Sequence, residues 1–421
     1  MDCKAHLISL TVLLSIATPG AAQEKIPQAE NASTTAKKQT WTVSWDERPS
    51  VRYGDRLRID ARARFTADLR DPGVPLGDEG TSGFDIARRR IGVSGSIRRV
   101  ADFQVEHELA GGRGWRDVYV DFRGLRRVDI QGGQFKLPFG LDENTSSTNL
   151  DFVYRSRAAT LSPGRDPGVM VHGRARVLRY EGGIFTRDGD NGRTDRTAHV
   201  GNDWTSAGRL VLQPFRSSTS AFEDLQAGVA FTTSNTPLGV ADFRGPSALG
   251  RPFMREEFAI QGRRRRAGIE MRWRPGRFSV QSEFVRMNSE RRGQSIEDSN
   301  LPPLVASAWY VHGTWIATGE TKTQGADEPK RPLFGGGFGS LEFAARVESA
   351  RVSSTGDGPP TMGPRAENVF PYRDRAVTLG VNWSPNRWIR AQANIVRDAM
   401  RVPGGDTSSF WSRVVRLRFA M

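Results

Sequence analysis

The sequence predicts an all-β fold, a transmembrane antiparallel β-barrel of about 16 strands. Three observations predict it. From residue 41 onward apolar residues recur with period two rather than 3.6, the spacing of strands with one apolar face. Short connections alternate with long polar ones, as in barrels whose turns and loops lie on opposite sides of a membrane. No stretch after residue 22 is apolar for the roughly 18 residues a spanning helix needs, and mean hydropathy is too low for a conventional core in so long a chain.

The N-terminus is set apart. Lys4 and His6 precede an apolar run over 7–17, and Pro19-Gly20-Ala21-Ala22 offers small residues for cleavage, the pattern of a secretory signal peptide over 1–22. The only cysteine, Cys3, lies within it, so the exported chain has no disulfide and no thiolate metal ligand. Residues 23–40 are polar without periodicity and read as a flexible leader. Residues 41–421 show no internal boundary and read as one barrel domain.

The first barrel strand is RLRIDARARF over 56–65. Leu57, Ile59, Ala61, Ala63 and Phe65 fall on one face and face lipid; Arg58, Asp60, Arg62 and Arg64 fall on the other and face water. A midplane arginine turned to lipid costs ~2 to 4 kcal/mol, so the parity is strongly specified. Next, Ile91, Val93 and Ile97 alternate with Arg90, Gly92, Ser94, Ser96 and Arg98; Phe103 and Val105 with Gln104 and Glu106; Val118, Val120 and Phe122 with Asp117, Tyr119 and Asp121. Near the end, Val377, Leu379, Val381 and Trp383 oppose Thr378, Gly380 and Asn382, and Val415, Leu417 and Phe419 oppose Arg416 and Arg418. Turns are expected at 98–101 and 384–387, long loops at 188–202, 234–255, 288–303 and 353–372. Trp273, Trp309, Trp315, Trp383, Trp388 and Trp411 are expected at strand ends, where an interfacial girdle suits their amphipathic rings. A water-soluble sandwich or propeller with one buried face per sheet is the alternative architecture.

Charge narrows the function. Lys and Arg total 61 against 47 Asp and Glu, a formal net charge of +14, so the protein attracts anions. Only seven of the basic residues are lysines. Strand parity nominates an inward ladder of Arg58, Arg62, Arg64, Arg88, Arg90, Arg98, Arg174, Arg176, Arg416 and Arg418. For each, the plain alternative is pairing with a wall carboxylate such as Glu106, Glu108, Asp117, Asp121 or Glu143. The run Arg263-Arg264-Arg265-Arg266 cannot share one strand face, so it is expected in a loop or at headgroup level, solvated or bound to lipopolysaccharide phosphates. There is no phosphate-cradling GxxxxGK[ST] loop, no GxSxG elbow, no HExxH and no metal-spaced set among the five histidines, so neither enzyme, cofactor nor metal site is expected. Basic residues recurring with period two on many strands, behind an export signal, argue against nucleic acid as partner.

The segment over 132–173, GGQFKLPFGLDENTSSTNLDFVYRSRAATLSPGRDPGVMVHG, resembles the phosphate-selective porin O and P family in GQFK-PFG at 133–140 and RD-G-hydrophobic-hydrophobic-G at 165–173. Ala308-Trp309-Tyr310 with Gly319-Glu320, the LEFAAR at 341–346 and Leu379-Gly380-Val381-Asn382-Trp383 extend the likeness in order over nearly the whole chain. The resemblance implies a homotrimer of outer-membrane barrels in lipid and lipopolysaccharide, each with an inward-folded constriction loop lined by basic residues, passing phosphate or polyphosphate. On that footing Lys136, Arg155, Arg157 and Arg165 are the expected anion-binding constriction residues. A general anion or small-solute pore without a phosphate site is the second reading, an exported soluble β-protein the third. Two features depart from the family: its lysine clusters near the mouth are missing, and the chain ends on Met421 rather than an aromatic residue.

Overall fold

A computed structural model of the chain describes residues 40–45, 47–71, 83–109, 114–189, 204–242, 257–323, 328–361, 363–401 and 407–421. The expected signal peptide, and the leader up to residue 39, lie outside them.

An N-terminal hairpin pairs β1 (Trp41–Trp45) with β2 (Pro49–Tyr53). The wall follows as β3 (Leu57–Asp71), β4 (Gly83–Ile97), β5 (Ala101–Glu108), β6 (Gly114–Leu125), β7 (Val128–Lys136), β8 (Arg165–Ala175), β9 (Leu178–Phe185) and β10 (Thr205–Leu212). It continues as β11 (Gln226–Asp242), β12 (Glu257–Trp273), β13 (Phe278–Arg291), β14 (Leu301–Ile316), β15 (Ser340–Ser354), β16 (Tyr372–Ser384), β17 (Ile389–Arg401) and β18 (Thr407–Ala420). Each pairs antiparallel with the next, and β18 returns to β3, so β3 to β18 form a closed 16-stranded barrel. Closure leaves no strand edge for hydrocarbon to strip of water. At the seam Met421 exchanges both backbone hydrogen bonds with Ala63, at 3.0 and 3.2 Å, while β2 covers the remaining edge of β3 over Leu57 to Asp60.

Parity runs as expected on β3: Phe65 and Leu69 are exposed on the outside, and Arg64, Thr66 and Asp68 are buried inside. Across the seam Arg416 grips Asp68 through two nitrogens at 2.6 and 2.7 Å, with both side chains nearly inaccessible. Removing one partner of a buried pair leaves an uncompensated charge. Asp68→Ala is therefore expected to lower the unfolding free energy of the refolded barrel by roughly 3 to 5 kcal/mol, read from the urea midpoint in lipid vesicles.

Tight connections at 98–100, 126–127, 176–177, 274–277 and 385–388 mark one rim, which also carries the longer connections at 213–225 and 317–339; the inward-turning segment and most of the expected long loops leave from the other. Arg98 and Arg176, assigned to the ladder by extending parity, sit instead in these turns, exposed and with φ of 49° and 54°. The run at Arg263 to Arg266 is a correction too: it lies within β12, not a loop. Arg264 and Arg266 point inward and are fully buried, and Arg263 and Arg265 point outward. Strands also extend into three expected loops, with β11 reaching Asp242, β13 reaching Arg291 and β15 reaching Ser354. Beyond the hydrocarbon a strand's outward positions are free to be polar, so polarity there does not end the strand. Trp273, Trp315 and Trp383 lie at strand ends on the tight-turn rim and Trp388 in one of the turns, whereas Trp309 and Trp411 lie well inside β14 and β18.

The interior is not polar all round. Phe258, Ile260, Val285, Met287, Leu304, Ala306, Ala308, Ala350 and Val352 face inward from β12 to β15 and form the main apolar cluster with Phe139, Ala158 and Leu161 of the segment between β7 and β8. Small wall residues make the room. Phe139 lies over Gly268, where an added Cβ would stand 3.2 Å from its ring.

Candidate functional site in the barrel lumen

The segment over 137–164 turns into the barrel at Gly140. There φ is +77°, and a Cβ would meet Glu283 Oε1 at 2.6 Å, so glycine is required on both counts. Glu283 accepts the backbone N–H of Leu141 (3.2 Å) and of Asp142 (3.1 Å), holding the first turn, α1 (Leu141–Asn144), against β13. Ser156 then caps α2 (Arg157–Leu161) by accepting the N–H of Ala159.

Polar straps tie the loop to the far wall. Arg157 lies between Asp374 (2.5 Å) and Asp398 (2.6 Å), and its N–H donates to Glu348 at 2.7 Å. Burial opposes the charge on Arg157, but these carboxylates hold its pKa above the ordinary guanidinium value. The N–H of Val153 donates to Asn394, Gln392 and Asn382 donate to the carbonyls of Leu150 and Asp151, Arg416 donates to that of Val153, and Arg418 to that of Thr148. At the tip Asp151 meets Lys322 Nζ at 2.6 Å and His312 at 3.3 Å, and Lys322 also holds Glu342 at 2.6 Å. Burial works against the Asp151 carboxylate; Lys322 and His312 outweigh it and keep the group well below the usual carboxylate range. Lys322 comes from the connection at the tight-turn rim, so the loop is anchored from below as well as from its side.

The water path is consequently eccentric. Inward residues of β12 to β18 are buried almost without exception, whereas Ser94, Ser96, Gln104, Tyr119, Gln131 and His172 on β4 to β8 are half-buried and line open space. Along this open wall stand most of the expected cations, in different states. Lys136 donates to the carbonyl of Glu143 and lies 3.5 Å from its carboxylate; Arg155 donates to the carbonyls of Asp142 and Thr145 and lies 3.4 Å from Glu143. Arg165 is bidentate on Asp117 at 2.9 and 3.0 Å. Arg90 bridges Glu106 (3.1 Å) and Glu108 (2.6 Å), Arg64 donates to Ser147 at 2.9 Å and reaches Glu106 at 3.9 Å, Arg58 pairs with Asp60 at 2.8 Å, and Arg174 donates to Gln213 at 3.2 Å. Arg62 and Arg88 have no carboxylate partner among the described residues. Burial weighs first on Arg88, and the charges that act on it most, Arg90, Arg416, Arg155 and Arg64, are all cationic. Arg157, expected at the constriction, is turned away from the path by its two aspartates.

Sequence reading missed the groups that hold this arrangement. Asp188 receives Arg264 (2.5 Å) and Arg266 (2.5 and 2.8 Å), and Arg266 also donates to the carbonyl of Leu161 at 2.8 Å. Burial disfavours the Asp188 carboxylate, yet Arg266 and Arg264 hold its pKa well below the ordinary value. Arg291 donates to the carbonyls of Ala259, Pro364 and Ala366 and draws another long loop over the mouth.

The family profile described as phosphate-selective porin O and P matches residues 59–402. No curated protein sequence matches the chain. Among solved structures the chain is similar to the trimer form of OmpT, an outer membrane protein of Vibrio cholerae, at 12% identity and TM-score 0.55, over 87% of this chain and 100% of that one. It is also similar to the anion-selective porin from Comamonas acidovorans, at 11% identity and TM-score 0.53, with coverage of 87% and 100%. The outer membrane channel DcaP of Acinetobacter baumannii is a further likeness, at 10% identity, TM-score 0.54 and coverage of 87% and 97%. At such identities the likeness establishes the barrel fold.

Proposed function

The chain belongs to the phosphate-selective porin O and P family, an outer-membrane porin with anion preference, and we propose that phosphate or polyphosphate is its preferred cargo. Arg62 and Arg88 carry this reading, as guanidinium groups on the open wall with no carboxylate partner among the described residues. Guanidinium forks meet phosphate oxygens two at a time. Arg88 stands opposite Thr66, four residues along β3 from Arg62, roughly 13 Å at ~3.3 Å per residue. An anion entering from the long-loop side meets Arg88, then Arg62, then the half-exposed Arg58 near the tight-turn rim. Arg155 acts on Arg88 from the loop, and Lys136 at the end of β7 stands beside Arg155. Several moderate sites in series let an anion leave as readily as it enters, which one deep site would not. Export through cleavage of residues 1–22 and assembly as a homotrimer complete the proposal; the trimeric state of OmpT supports the latter.

The ion pairing of Arg90, Arg165 and Arg416 favours a second reading, a general anion pore with no phosphate site. Planar-bilayer recording separates the two. Millimolar phosphate added to chloride electrolyte is expected to reduce chloride current along a saturating curve; chloride current that stays constant establishes the general pore instead.

A further inference from the structure

We propose that the outer wall of β15 to β17 binds an outer-leaflet glycolipid through two phosphates and an acyl chain. Arg351, Arg373, Arg375, Arg397 and Arg401 all point outward and are exposed. Arg351 is in direct register with Arg373, and Arg373 with Arg401, so three like charges stand side by side on adjacent strands. Opposed like charges repel at Cβ separations of about 5 Å. None of the five has a carboxylate partner among the described residues; the contact recorded for Arg397 is the face of Trp411, 5.7 Å from the ring centroid. A barrel wall that gathers guanidinium groups without acids calls for an anion from outside the chain.

Position identifies that anion. The cluster lies at the long-loop ends of its strands, which in an outer-membrane barrel face the cell exterior. Below it the same strands present Val377, Leu379, Val381, Phe343, Val347 and Ile395 outward, the hydrocarbon-facing band. Across that band, and on over β13, β14 and β18, runs an apolar groove of about 900 Å³, lined on β15 to β17 by Phe343, Ala345, Leu379, Val381, Ala393 and Ile395 and reaching Arg413 on β18. Its upper end at Ile395 is two residues from Arg397 on the same strand. A ligand filling both has an anionic head and a hydrocarbon tail. Width adds the rest: from Arg351 to Arg401 the field spans two strand spacings, about 9.6 Å, more than one phosphate occupies. A headgroup with two separated phosphates fits.

Native mass spectrometry of the detergent-solubilised protein tests this with bis-phosphoryl lipid A, its fully dephosphorylated counterpart and inorganic phosphate. Wild type is expected to bind the bis-phosphoryl lipid at least tenfold tighter than the dephosphorylated one, with no displacement by 10 mM inorganic phosphate. The variant R351Q/R373Q/R401Q is expected to lose that tenfold preference while keeping its single-channel conductance, since these residues lie outside the water path. Ala393→Phe, which fills the groove, is expected to weaken both lipids equally. Equal binding of the two lipids by wild type overturns the proposal whatever the variants do, as does displacement by free phosphate or unchanged preference in the triple variant.

Discussion

Arg157→Ala is expected to free the constriction loop and to destabilise the barrel at once. Arg157 is 3% exposed and its partners Asp374 and Asp398 are fully buried, so alanine leaves two carboxylates facing each other inside the wall. Losing one partner of a buried pair costs about 3 to 5 kcal/mol, and here one cation serves two acids. Protonation of an aspartate or entry of water offsets part of that cost, so the upper end is not expected. The loop keeps its straps through Val153 and Asp151, and α2 keeps the backbone N–H to Glu348 and the bond from Arg266 to Leu161; what is lost is the side-chain strap from α2 to β16 and β17. Single channels of the variant should show a larger and noisier conductance, and the urea midpoint should fall. The isosteric triple variant R157M/D374N/D398N distinguishes charge from packing: it restores much of the stability if the unpaired carboxylates are responsible, and none if the contact is steric.

The second large effect concerns selectivity. Reversing Arg62 and Arg88 to glutamate changes the charge of the open wall by four units without breaking any carboxylate pair recorded for them. The anion-to-cation permeability ratio should fall by roughly tenfold or more, equivalent to at least ~1.4 kcal/mol in relative barrier height. Reversal potentials in a salt gradient measure it. By contrast, Arg165→Ala removes a guanidinium already bidentate on Asp117 and should move the reversal potential less. If the Arg165 change were the larger, the filter would lie at the loop's exit and not on β3 and β4.

Much of the wall was legible because a closed barrel imposes one rule at every strand position. Outward residues meet hydrocarbon, inward residues meet water or other side chains, and a one-residue error exchanges the two faces. The motif GQFKLPFG marked the inward turn, and Gly140 shows why the pattern exists: its φ and the nearby Glu283 both forbid a side chain. Parity failed where the backbone stops being a strand. Arg155 and Arg157 are two residues apart and were placed together, but Ser156 starts a helical turn between them and sends Arg157 into the wall. Arg98 and Arg176 continue an alternation that their turns have already ended. Pairing was the least legible feature. Asp374 and Asp398 lie more than 200 residues from Arg157, and Asp188 is far along the chain from Arg264 and Arg266. Nothing local distinguishes an arginine facing water from one claimed by a distant carboxylate.

The apolar packing of the loop against β12 to β15 also bears on how an ion feels the opposite wall. A slab of hydrocarbon polarises weakly, so field lines leaving Arg62 and Arg88 spread little into it and are confined to the aqueous strip beside them. Each guanidinium then reaches farther along the strip than it would across a wide, round pore. With a Debye length of about 10 Å at 0.1 M, adjacent wells roughly 13 Å apart merge in dilute electrolyte and separate in concentrated electrolyte. Current should therefore rise less than proportionally with salt concentration, the dielectric asymmetry of the tube making it most permissive to anions where they are scarce.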